Sequence, residues 1–82
     1  MSEHIPEMMY NALKNKFQSE IDTAETTMEI YFNNSVGIGE HPQHLNEMTK
    51  LVDTISINED RLNILTKYFS DYSESRGNVW IS

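Results

Sequence analysis

The sequence contains no cysteine. Disulfides, zinc–thiolate centres and thiol nucleophiles are therefore excluded at the outset. Glycine and proline are scarce, three and two in 82 residues, too few for a small β-domain built on tight turns. No apolar run approaches the length of a membrane span. The opening residues Met-Ser-Glu-His-Ile-Pro lack the basic start and apolar stretch of a secretory signal, so a cytosolic or virion location is expected. Basic residues are also in short supply, six against thirteen acidic, for a net charge of −7. A protein whose main task is to grip nucleic-acid phosphates carries the opposite balance. The expected organisation is one helical domain spanning residues 1–82.

Helical periodicity dominates what is there. Tyr10, Leu13, Phe17, Ile21, Ala24, Met28 and Phe32 recur at three and four with no Gly or Pro between them. The spacing amounts to an eleven-residue repeat, which predicts a straight or slightly right-handed stripe along a helix over about 6–33. Pro6 fits a first helical turn, where its missing N–H costs nothing. Residues 33–42, Asn-Asn-Ser-Val-Gly-Ile-Gly-Glu-His-Pro, form the one dense cluster of breakers, with Gly37, Gly39 and Pro42 as its loop residues. A second helical pattern over about 42–73 places Leu45, Met48, Val52, Ile55, Leu62, Leu65, Phe69 and Tyr72 on one stripe, with a gap at Asn58 and Glu59. Ser56 and Glu59 have capping-box spacing and mark a kink or break. Without Gly or Pro there, one continuous helix is the preferred reading.

The expected fold is all-α, a long antiparallel helical hairpin with a short apolar C-terminal tail, Val79-Trp80-Ile81. Such a hairpin has one seam, and Ile57, Ile64 and Tyr68 lie off the main stripe, as do Leu51 and Tyr31. Leaving large apolar side chains wet forfeits roughly 1.5–3 kcal/mol each. The expectation is therefore a homo-oligomer, two hairpins closing into a dimeric four-helix bundle. The alternatives are a groove on another protein, or a monomeric three-helix bundle broken at Ser56. Ile57, Ile64, Tyr68, Val79, Trp80 and Ile81 are the candidate partner-binding residues, Trp being favoured where interfaces concentrate their energy.

Other chemistries find thin support. His41 and His44, three apart with Glu40 and Glu47 close by, are weak metal candidates. No second cluster of ligands completes such a site, so no metal and no cofactor is expected. Glu20, Asp22, Glu25 and Glu29 read first as a solvated face, with imitation of a nucleic-acid backbone as the sharper alternative. Gly37-Ile38-Gly39 is too short for a phosphate-binding fingerprint, and Glu40 would repel an anion. No nucleophile arrangement is present, and no catalytic residue or enzymatic activity is expected.

The string Val36-Gly37-Ile38-Gly39-Glu40-His41-Pro42, followed by Leu45-Asn46-Glu47-Met48 and a helix ending Lys67-Tyr68-Phe69, resembles small uncharacterised proteins of tailed phages, particularly large lytic marine myoviruses. The likeness spans about residues 28–69, with Ser35 where those proteins carry Pro. It implies a phage origin, a helical hairpin and a location in the host cytoplasm or the virion. It brings no catalytic residues. Two roles follow as expectations: a self-associating virion or assembly component, or an early protein that binds and redirects a host enzyme through its acidic face or its Trp80 tail.

Overall fold

The computed structural model describes residues 4–33 and 42–73. Two long helices account for nearly all of them: α1, Ile5–Asn33, and α2, Pro42–Phe69, continued by a single 3₁₀ turn at Ser70–Tyr72. There is no strand among the described residues. The expected helical hairpin is thus the observed fold, with α2 ending in a tighter turn instead of running as α-helix to 73.

Local chemistry explains both elements. Pro6 and Glu7 occupy the first turn of α1, where a missing N–H is tolerated and a carboxylate complements the positive end of the helix. Asn33 closes the same helix by donating its amide to the Glu29 carbonyl at 2.8 Å. In α2, Pro42 opens the first turn and Lys67 sits in the last, where a cation suits the negative end. Threonines, poor helix formers, are accommodated by back-bonding: Thr26, Thr27, Thr49 and Thr54 each donate to the carbonyl four residues earlier at 2.8–3.0 Å. Helix α2 runs without interruption through Ser56, so the three-helix alternative does not form. Ser56 caps nothing; it lies exposed in mid-helix.

The helices run antiparallel. The Tyr31 ring stands 5.6 Å from that of His44 beside the connecting segment. Glu20 meets Asn58 midway along the pair. The Arg61 guanidinium lies 5.6 Å from the centre of the Phe17 ring. Tyr10 shares a cleft with Leu65 and Phe69 at the far end. Among the described residues the two helices lie side by side, with no third layer.

The phase of the seam departs from the sequence expectation on both helices. In α1 the seam follows Tyr10, Phe17, Ala24 and Tyr31, a spacing of seven, with Ile21 and Met28 beside it. The eleven-residue stripe ending on Phe32 is therefore corrected: Phe32 is 66% exposed, and Tyr31, placed off the stripe, is half-buried. In α2 the seam follows His44, Met48, Leu51, Ile55, Asn58, Leu62 and Leu65, in steps of four and three. Leu45 and Val52, assigned to the stripe, are exposed, while Leu51, assigned off it, is half-buried.

The reason is electrostatic. A seam through residues 45 and 52 would continue at intervals of seven to Glu59 and bury a carboxylate. The seam through residues 44 and 51 continues to Asn58, a neutral amide, which costs far less to desolvate. In α1 the expected stripe already held Phe17 and Ala24, and the seam leaves it at the C-terminal end, where it continues to Tyr31 in place of Phe32. A period of 3.5 is that of left-handed coiled-coil packing, in place of the near-straight rod expected.

Candidate functional site

The core of this pair is small. Among the described residues its buried apolar side chains are Tyr10, Ile21, Ala24 and Leu65. The most buried polar side chain is Asn58, which at 2% exposure is as enclosed as Ala24. Periodicity showed Asn58 as a gap in an apolar stripe, yet it is the central seam residue. Its amide nitrogen donates to the Thr54 carbonyl at 2.9 Å and across the seam to Glu20 Oε1 at 3.3 Å. Its oxygen accepts from Arg61 at 3.3 Å. Glu20 also receives Lys16 at 3.2 Å. Through that hydrogen bond and charge from Lys16, and the amide of Asn58 after it, the Glu20 carboxyl is held below its ordinary 4.5. No buried side-chain polar atom among the described residues is left unpaired.

A buried amide at the centre of a largely apolar seam acts on register. Sliding one helix past the other would strand Asn58 against carbon, at a cost of about 1–3 kcal/mol. The Glu20–Asn58–Arg61 node therefore fixes which residues of α1 face which of α2, in the manner of a lone polar residue in a coiled-coil seam.

Around the seam many large apolar side chains are exposed. Ile57, Ile64 and Tyr68, the expected partner-binding residues of α2, are all substantially exposed, Tyr68 at 61%. Intervals of seven and four bring the three to one flank of the helix. Ile5, Met8, Met9, Ile30, Phe32, Leu45 and Val52 are exposed as well. Close to the free end of the pair an open cleft of about 300 Å³ lies between the helices. Met9, Tyr10 and Leu13 of α1 face Leu65 and Phe69 of α2 across it, with Tyr72 of the 3₁₀ turn alongside and Pro6 at its edge. A neighbouring cleft shares Leu65 and Phe69 and extends to Phe17 and Ile64. Nothing in the sequence pattern signalled the terminal cleft, because it arises where the ends of α1, α2 and the 3₁₀ turn meet.

The other candidates resolve as follows. His44 is half-buried against Tyr31, and no group of three or more His, Asp or Glu placed to hold a metal occurs among the described residues. His41, Gly37, Gly39, Val79, Trp80 and Ile81 lie outside the described residues, as does the side chain of Pro42. Of the acidic residues singled out, Asp22, Glu25 and Glu29 are exposed and Glu20 is drawn into the seam node. No helix among the described residues is long and apolar enough to cross a membrane. Compared with protein-family models, curated proteins and solved structures, the chain matches none.

Proposed function

We propose that this chain is a non-enzymatic interaction protein that works as a self-associated pair of hairpins, in a phage structural or assembly role. The observation that carries the self-association is the contrast between a core of four buried apolar side chains and the exposed flank of Ile57, Ile64 and Tyr68. A helix buries its apolar stripe against another element, and two helices alone offer one seam. A second copy supplies the missing layer with a surface of the same composition, and two hairpins meeting by a twofold axis make a closed four-helix bundle. The exposed carboxylates Asp22, Glu25 and Glu29 remain in water in that arrangement.

Light scattering on the purified full chain tests this reading. A mass of twice 9.6 kDa that persists to low micromolar concentration is the expected result. A monomer at every accessible concentration overturns it and favours the rival role, capture of a host enzyme.

A further inference from the structure

We infer which face of the hairpin pairs, and in which direction. Helix α2 of one hairpin lies along α1 of a second copy, about a twofold axis parallel to the helices, with Ile57 and Ile64 packed against the short side chains Ala12, Ser19 and Thr23. This rests on the self-association proposed above and adds its geometry. The seam residues divide the surface into two sides. Thr23 and Glu25 flank Ala24, and Ile57 and Glu59 flank Asn58, each neighbour turned about 100° away from the seam. Thr23 lines a shallow groove of about 280 Å³ with Ser19, Glu20, Leu51 and Thr54. Ile57 is three residues from Thr54 and shares that side, while Glu25 and Glu59 share the opposite one. By the same rule Lys16, Lys50 and Ile64, which precede the seam residues Phe17, Leu51 and Leu65, belong to the groove side.

Charge selects the side. Two copies of a chain with net charge −7 repel unless their contact avoids unpaired carboxylates. The carboxylates nearest the groove are Glu20 and Glu47, bound to Lys16 at 3.2 Å and to Lys50 at 3.4 Å. On the opposite side Glu25 and Glu59 are exposed, and a twofold contact there would bring two carboxylates from each copy together. Size is adequate. A helix of 29 residues is about 43 Å long and two helices are about 20 Å wide, so one side offers roughly 800 Å², each partner's share of a standard stable interface. Shape selects the direction. Asn58 stands level with Glu20, and Arg61 with Phe17. Ile57 is therefore level with the interval from Ser19 to Thr23, and Ile64 with the interval from Ala12 to Lys16. An axis along the helices keeps every residue at its own level and lays large side chains of α2 over short ones of α1, as interdigitating layers require. Arg61 then meets the Lys16–Glu20 pair of the other copy, where Glu20 offers it a carboxylate. An axis across the helices would instead lay α2 on α2, with both isoleucine ridges and both Arg61 guanidiniums in one contact.

Because the chain has no cysteine, introduced thiols read this geometry directly. Full-length Ile57→Cys and Thr23→Cys chains, one of them carrying a mass tag, are mixed in a glutathione redox buffer. Both positions are exposed, so helicity by circular dichroism should match wild type. The mixed disulfide should exceed either homodisulfide severalfold. Asn11→Cys mixed with Thr66→Cys places two thiols at one level on the opposite side without changing charge, and should couple no better than denatured chains. A dominant disulfide between two Ile57→Cys chains overturns the direction. Efficient coupling of Asn11→Cys with Thr66→Cys overturns the choice of side. No coupling at all, with light scattering still showing a dimer, overturns this inference and leaves self-association standing. A monomer by light scattering overturns both.

Discussion

Replacing Asn58 with Leu should raise stability and lower specificity at the same time. Asn58 is 2% exposed at the centre of the seam, flanked at intervals of seven by Leu51 and Leu65. The substitution removes the bonds to Glu20, to Arg61 and to the Thr54 carbonyl. Their net worth is about 1 kcal/mol, because the Glu20 and Arg61 side chains reach water and recover partners there. Thr54 keeps its place in the helical ladder. Burying a leucine, which has the same branched shape with bulkier terminal groups, contributes about 1.5–3 kcal/mol. The balance favours the variant by about 1 kcal/mol, a rise in Tm of roughly 4–8 °C for a chain of this size. The price is register, since an uninterrupted Leu seam no longer distinguishes the native alignment from one slipped by a heptad. Thermal melts followed by circular dichroism give the first quantity. Heteronuclear NMR gives the second, where the variant should show broadened or doubled amide signals along α1. A variant that melts several degrees below wild type would refute this reasoning, because the polar node would then be a net source of stability.

Asn58→Asp should destabilise at neutral pH by facing the Glu20 carboxylate with a second one, and recover as acid protonates the pair; denaturant midpoints across pH check it. Glu20 itself sets a smaller pH dependence. Its pKa is lowered in the folded chain, so its contribution is present above 4.5 and is lost as pH falls through the lower folded value. Glu20→Gln should remove that part of the acid sensitivity, and added salt should shrink it in the wild type, because Lys16 and Glu20 are both solvated. Ile64→Lys should leave the hairpin helical, since Ile64 is already substantially exposed, yet weaken pairing. Losing about 1 kcal/mol on each side of a twofold interface is roughly a thirtyfold rise in the dimer Kd, read by sedimentation. Phe17→Asp, by contrast, removes the ring under Arg61 and puts a charge in the seam, and should cost about 3 kcal/mol or more in a chemical melt.

The two helices, their hairpin arrangement and the continuity of α2 through Ser56 were legible in the sequence, because unbroken spacing of three and four with no Gly or Pro has few other solutions. The phase of the seam was not. Leu51 and Val52, or Tyr31 and Phe32, stand 100° apart on a helix, and hydrophobicity alone does not choose between such neighbours. What chose was the cost of the polar residue each phase would bury, Asn58 or Glu59, a comparison that apolar spacing leaves out. For the same reason the Glu20–Asn58–Arg61 node went unseen: a polar residue in a stripe reads as an interruption until its partner on the other helix is known. The flank of Ile57, Ile64 and Tyr68 was legible as surplus apolar surface. The terminal cleft depends on where α1, α2 and the 3₁₀ turn end relative to one another, which periodicity does not encode.

Contacts between copies offer the sharpest view of the exposed flank. In a mixture of isotope-labelled and unlabelled chains, filtered NMR should show contacts from Ile57, Ile64 and Tyr68 of one copy to apolar side chains of the other. If those three side chains give only contacts within their own hairpin, at concentrations where the seam pairs Tyr31–His44 and Phe17–Arg61 are plainly seen, the two-helix layer is sufficient by itself and the self-association is wrong.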